Sequence, residues 1–245
     1  MPLEATRLLR SREWQGVGQA PGEGRAVLLI PGYLAGDASL GLMTKWLRGL
    51  GYRTRKAGIR SNVDCSAAVV TLLETRLEEM AHTSGDRVAI IGQSRGGIVA
   101  RAVAKRRPDL VSGIVTLGSP NAGMLHVHPL VLGTIGVVGT LGTAGVPHLM
   151  SFRCLRGECC REFRASLGSS EFPEDVGYVS VYSKRDGIVN WRACLDPAAR
   201  ELVEVTSSHC GMAFHPHVYG VIGRALAEYA GTADMPVWTP WAQAA

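Results

Sequence analysis

Charge is scarce in this sequence. Asp, Glu, Lys and Arg make up 19% of its 245 residues, against about 25% in an average globular domain. The shortage is concentrated, because no Asp, Glu, Lys or Arg occurs from Leu110 to Phe152. A Gly-X-Y register is absent, which excludes collagen. A chain that is 46% hydrophobic has the apolar content that disordered chains lack. No CxxC pair occurs among the six cysteines, Cys65, Cys154, Cys159, Cys160, Cys194 and Cys210, so the spacing predicts no zinc site and no other metal. Two readings of the thiols stay open: all reduced, or a disulfide joining the 154–160 loop to Cys194. The opening MPLEATRLLRSREW lacks an apolar h-region and a small-residue cleavage site, so the expectation is a cytoplasmic chain with reduced thiols. The formal charge is +5, but its basic residues are scattered rather than gathered into a stripe with interleaved aromatics, so no nucleic-acid partner is expected.

The apolar residues that remain fall into short runs. Residues 26–32 (AVLLIPG), 87–92 (RVAIIG), 111–117, 178–183 and 200–206 read as strands, and 52–57 as a weaker one. Helices are expected at 40–50, with Asp37 or Ser39 as cap, at 64–83, with Val69, Leu72, Leu73, Leu77 and Met80 on one face, at 95–107 and at 216–230. Strands alternating with helices predict an α/β fold, a mostly parallel sheet with helices on both faces. The 121–177 stretch is too long for an ordinary connection and is expected to be a cap or lid inserted into a single domain. Residues 232–245, with Trp238 and Trp241, are expected to be a tail.

Gly92-Gln93-Ser94-Arg95-Gly96 matches G-x-S-x-G. The bare pattern is weak, but here it follows a strand and precedes a helix, the context a nucleophile elbow requires. Side chains two residues to either side of the serine would collide with the neighbouring strand and helix, hence Gly92 and Gly96. A serine hydroxyl needs a base, and the chain order in such folds is Ser, acid, His. His209, directly after the 200–206 strand, is the preferred base, ahead of His215. Asp186, in the turn after the 178–183 strand, is the preferred acid, ahead of Asp196, whose Cys-Leu-Asp-Pro setting has a simpler explanation as a turn. The backbone N–H groups of Arg95 and Tyr33 are the expected oxyanion donors.

These pieces resemble the α/β-hydrolase superfamily, and within it bacterial triacylglycerol lipases and esterases. VLLIPGYLAGD (27–37), RVAIIGQSRGGIVAR (87–101), VTLGSPNAG (115–123), YSKRDGIVNW (182–191) and SSHCGMAFHPHVYGVI (207–222) carry the likeness. The resemblance implies Ser94 as nucleophile, Asp186 as acid, His209 as base, Tyr33 and Arg95 as oxyanion donors, and no cofactor. It departs from many lipases at Pro31-Gly32, where they have His-Gly, at Gln93, where they have His, and at Arg95, where they have a small or apolar residue.

The implied reaction is hydrolysis of a carboxylic ester through an acyl-enzyme. An acyltransferase, thioesterase or amidase on the same three residues, and a non-catalytic binding protein on the same fold, are the rivals. Glycines recur every third residue from Gly133 to Gly145 within the uncharged run. Each costs a helix about 1 kcal/mol relative to Ala, so the segment must pack against something apolar or move. A membrane span is the lesser reading of this run. The favoured expectation is an apolar lid that binds acyl chains and makes transient contact with a lipid surface.

Overall fold

The computed structural model describes residues 2–123, 126–168 and 171–231. The tail expected at 232–245 lies outside them. Six parallel strands form one sheet: β1 (Ala26–Ile30), β2 (Arg53–Lys56), β3 (Val88–Gln93), β4 (Val111–Leu117), β5 (Gly177–Tyr182) and β6 (Glu201–Glu204), in the spatial order β2-β1-β3-β4-β5-β6. Their helices are α1 (Pro2–Leu9), α2 (Gly41–Gly49), α3 (Ser66–Ser84), α4 (Arg95–Arg106), α5 (Pro129–Thr143), α6 (Phe152–Arg156), α7 (Arg161–Gly168) and α8 (Pro216–Tyr229). The expected α/β architecture is present, with every expected strand in place.

Strand alternation sorts the core into two layers. Leu28 and Ile30 of β1, Ile90 of β3, Ile114 of β4 and Tyr178 of β5 point toward α3, α4 and α7. Val27, Leu29, Ile91, Val115, Leu117, Val179 and Val181 point the other way, toward α1, α2 and α8. Both faces are covered, which is why β1 and β3 read as unbroken apolar runs rather than alternating ones. Helix α4 lies against the sheet centre and is buried from Gly96 to Ala104.

Two local expectations are corrected. Asp37 does not cap a helix. Its Oδ2 accepts from the N–H groups of Gly58 (2.9 Å) and Ile59 (3.2 Å), binding the chain after β2 to the start of a short 3₁₀ helix at Asp37–Leu40. Leu72 leaves the buried face of α3, which Val70 joins instead. The glycine-rich run folds into α5, started by His128 and Pro129. Only Val138 and Gly139 of it are buried, and among the described residues no helix is long and apolar enough to cross a membrane.

The chain reverses its direction of growth across the sheet between β1 and β3, with β2 on one side of β1 and every later strand on the other. At such a switch point the loops leaving the two strands diverge and open a crevice at their C-terminal ends. The loops that follow β1 and β3 begin at Pro31 and Ser94, so the topology alone puts Tyr33 on one side of that crevice and Ser94 with Arg95 on the other.

Candidate active site

Ser94 sits between β3 and α4 with φ 51° and ψ −121°, a conformation costly for any residue with a Cβ. The turn is as tight as its glycines require. A Cβ on Gly92 would lie 2.5 Å from the carbonyl oxygen of Gly96, and one on Gly96 would collide with the Ile30 carbonyl. Ser94 is the residue before α4, at the helix end where unpaired N–H groups favour developing negative charge. Arg95 is the first residue of that helix. Gly32, in the loop after β1, lies beside Ser94, since a Cβ there would be 3.2 Å from the serine Cβ.

Asp186 and His209 meet, both less than a tenth exposed. Asp186 Oδ2 is 2.6 Å from His209 Nδ1. The other carboxylate oxygen accepts from the backbone N–H groups of Ile188 (2.9 Å) and Val189 (2.5 Å), and His209 N–H donates to the Asp186 carbonyl at 3.0 Å. With one oxygen spent on its own turn, the carboxylate presents only the other to the imidazole. Gly118, in the left-handed region at φ 58°, ends β4 beneath the pair, and a Cβ there would press within 3.1 Å of both. Gln93 Nε2 donates to the His209 carbonyl (3.4 Å), so the residue next to Ser94 rests against the histidine loop.

Of the rival residues, Asp196 has another partner and His215 Nδ1 is buried with no hydrogen-bond partner among the described residues. Asp196 is buried against Arg101 Nε (2.6 Å) and the Tyr178 hydroxyl (2.9 Å), an internal ion pair rather than a turn alone. His215 precedes α8, and burial lowers its pKa. Cys194 is buried beside Ser180, whose hydroxyl donates to its carbonyl, and takes no part in a disulfide with the 154–160 loop: all six cysteines are free. The sulfurs that do gather are Cys154, Cys159, Cys160 and the distant Cys65.

Arg95, the unusual residue after the serine, turns its guanidinium to the 62–66 loop. Its guanidinium donates to the Asn62 carbonyl (2.6 Å), Asn62 Oδ1 (2.7 Å), the Asp64 carbonyl (2.5 Å) and Ser66 Oγ (3.1 Å). Burial pushes its pKa down to about 10, which leaves it charged at neutral pH. Asn62, fully buried, in turn donates to the Pro31 carbonyl at 2.7 Å. A continuous polar link therefore runs from the elbow through Asn62 to the loop carrying Tyr33. Sequence reasoning missed Asn62, because nothing in RSNVD marks an asparagine bound to a loop 31 residues away. The Tyr33 ring packs on the small cluster of Val63, Val138 and Met150, and its hydroxyl is buried with no hydrogen-bond partner among the described residues.

The segment between β4 and β5 reaches back to this site. His128 N–H donates to the Ile188 carbonyl (2.7 Å) and Asn190 N–H to the His126 carbonyl (2.9 Å), tying the approach to α5 to the Asp186 turn. Met150 N–H donates to the Val63 carbonyl (2.7 Å), beside Asn62.

A sequence-family profile described as the alpha/beta hydrolase fold matches residues 26–133, from β1 through the elbow into α5. The same architecture recurs in solved structures. The chain is similar to a Bacillus licheniformis lipase in its mature form (16% identity, 84% of this chain and 94% of that one, TM-score 0.62). It is also similar to a monoacylglycerol lipase of Paleococcus ferrophilus (14%, 86% and 96%, 0.59). This chain has the α/β-hydrolase fold. A soluble variant of the monoglyceride lipase of Saccharomyces cerevisiae, in complex with a substrate analog, shares the hydrolase fold at 15% identity over 86% of this chain and 90% of that one, with a TM-score of 0.58.

Proposed function

We propose that this chain is a serine carboxylic-ester hydrolase that acts through an acyl-enzyme on esters with an apolar acyl part. The observation that carries the reading is a serine held at positive φ on a strand-to-helix turn, in a fold that also pairs a buried aspartate and histidine at 2.6 Å. In this reading Ser94 Oγ attacks the ester carbonyl while His209 Nε2 takes its proton. Asp186 holds the Nδ1–H tautomer and stabilises the imidazolium. The N–H groups of Arg95 and Tyr33 bind the oxyanion. His209 then returns the proton to the leaving alcohol, and water repeats the sequence on the acyl-enzyme. None of these steps calls on a cofactor.

The apolar acyl part rests on the segment over residues 121–177, which this reading takes as a lid. Leu130, Val137 and Leu141 of α5 are 76%, 61% and 45% exposed, and no charge interrupts them. An apolar helix presented to solvent beside the crevice suits an acyl chain or a lipid surface. The similar lipases named above act as a supporting likeness of fold.

Hydrolysis of p-nitrophenyl esters from acetate to palmitate tests the reading. Turnover by the native chain and its loss in Ser94→Ala, with an unchanged melting temperature, are the expected results. Full activity in Ser94→Ala, or no activity on any ester, would sink it. Adding an alcohol and measuring how acyl product divides between acid and new ester separates a hydrolase from an acyltransferase on the same residues.

A further inference from the structure

Away from the crevice, four cysteines from three separate parts of the chain converge on one point. Cys65 immediately precedes α3 on the body of the domain, Cys154 lies in α6, and Cys159 and Cys160 lead into α7. Cys65 Sγ is 3.4 Å from Cys160 Sγ and 3.7 Å from Cys159 Sγ, and Cys159 Sγ is 3.1 Å from Cys154 and 3.7 Å from Cys160. All four sulfurs lie within 4.8 Å of one another. Zinc–thiolate bonds of about 2.3 Å in a tetrahedron put the sulfurs about 3.8 Å apart, whereas a disulfide brings two of them to about 2.0 Å and leaves the others out. Four mutually adjacent sulfurs at these separations are the donor set of a tetrahedral four-thiolate ion.

We propose that Cys65, Cys154, Cys159 and Cys160 bind one zinc ion that fastens the α5–α7 segment to the body of the domain. Four thiols lose their protons as the ion binds, and the resulting complex carries two negative charges. The surroundings suit that charge. Cys65 stands at the N-terminus of α3, where the unpaired N–H groups of a helix's first turn favour negative charge. Cys154 Sγ lies 3.6 Å from the Ser151 hydroxyl. Cys160 precedes the first turn of α7, and the Arg95 guanidinium is close enough to interact with Cys65 and Cys160.

The α5–α6 part of the segment also gains from such a fastening, whereas α7 already seats Phe163 in the core. Helix α6 is one turn long with no buried residue, α7 has eight residues, and the apolar cluster beneath α5 contains only Val63, Val138 and Met150 as buried members. Helices this short are not stable on their own, and small elements with little core are commonly held by a metal or a disulfide. The ion would also brace the crevice. Asp64 and Ser66, on either side of Cys65, accept from Arg95, so a rigid Cys65 holds the 62–66 loop that reaches Pro31 through Asn62.

Metal analysis of the full chain, purified without chelator, tests the site. One zinc per chain is expected. Replacing the endogenous metal with cobalt(II) should yield a sulfur-to-cobalt charge-transfer band and the visible absorption of a tetrahedral centre, a readout that needs no variant to fold. Timed alkylation adds a third measurement. Cys159 and Cys210 are both exposed, yet Cys159 should react slowly until a chelator is added, and Cys210 quickly throughout. Cys159→Ser should lose the stoichiometric zinc, and Cys210→Ser should keep it. A chain without zinc that gives no cobalt spectrum overturns the proposal, as does a disulfide between any two of the four in freshly purified protein. Stoichiometric iron in place of zinc overturns the identity of the ion.

Discussion

At the scale of single residues, the elbow is a steric bargain between side chains that are present and side chains that are missing. Ser94 takes a backbone conformation that costs about 1–3 kcal/mol, and the surrounding turn holds it there only because Gly92 and Gly96 have no Cβ. Gly96→Ala forces a methyl group against the Ile30 and Pro31 carbonyls. It should cost about 1–3 kcal/mol as an overpacking change, read as a lower denaturant midpoint, and should reduce ester turnover because the β1 loop is pushed away from Ser94. An unchanged midpoint would mean that the turn is looser than its geometry states. Asp186 illustrates the same economy: two backbone N–H groups occupy one oxygen, and the imidazole has the other.

Among elements, α5 is the exception to the rule that apolar helices bury their stripe. Only Val138 and Gly139 of its fifteen residues are buried. Gly133 and Gly136 face open space, while Gly139 and Gly142 admit Phe152, Leu155 and the Met150 backbone. The glycines on one half of the helix therefore permit close packing on α6, and those on the other half weaken a helix that is already marginal. Val137 is exposed, so Val137→Asp should leave the melting temperature nearly unchanged. It should lower kcat/KM for palmitate esters at least tenfold (about 1.4 kcal/mol) and spare acetate. Equal losses on both esters would remove α5 from the acyl-binding surface.

At the scale of the whole molecule, a buried ion pair joins two elements distant in sequence. Arg101 of α4 and Asp196 of the β5–β6 connection are almost fully buried at 2.6 Å. Tyr178 and Asn121 extend the network, and Arg101 also donates to the Ser166 carbonyl of α7 at 2.9 Å. Removing one charge strands the other in a low-dielectric interior, so Asp196→Ala should destabilise by about 3–5 kcal/mol. The double change Arg101→Met with Asp196→Leu should recover most of that loss in urea unfolding, because it removes both desolvation costs together. If the double variant is as unstable as the single one, the network acts through its hydrogen bonds to Tyr178 and Ser166 rather than through charge.

What the sequence determined by itself was everything governed by short-range rules. Side-chain alternation and apolar runs located all six strands, and the steric demands of one turn singled out Gly92, Ser94 and Gly96. The order of elements then put Asp186 and His209 in loops leaving adjacent strands β5 and β6, close enough to pair although 23 residues apart. Only the tertiary structure showed that a guanidinium from α4 occupies Asp196 while Asp186 meets His209, since both aspartates follow β5 and both stand in turns. It likewise decided what Arg95 does, through carbonyls of a loop about thirty residues earlier, and which thiols are neighbours. Cys65 joins Cys159 across 94 residues, while Cys194, much nearer in sequence, faces Ser180. Local sterics and periodicity are written in a few consecutive residues, whereas proximity between distant ones is set by strand register and by how helices seat on the sheet.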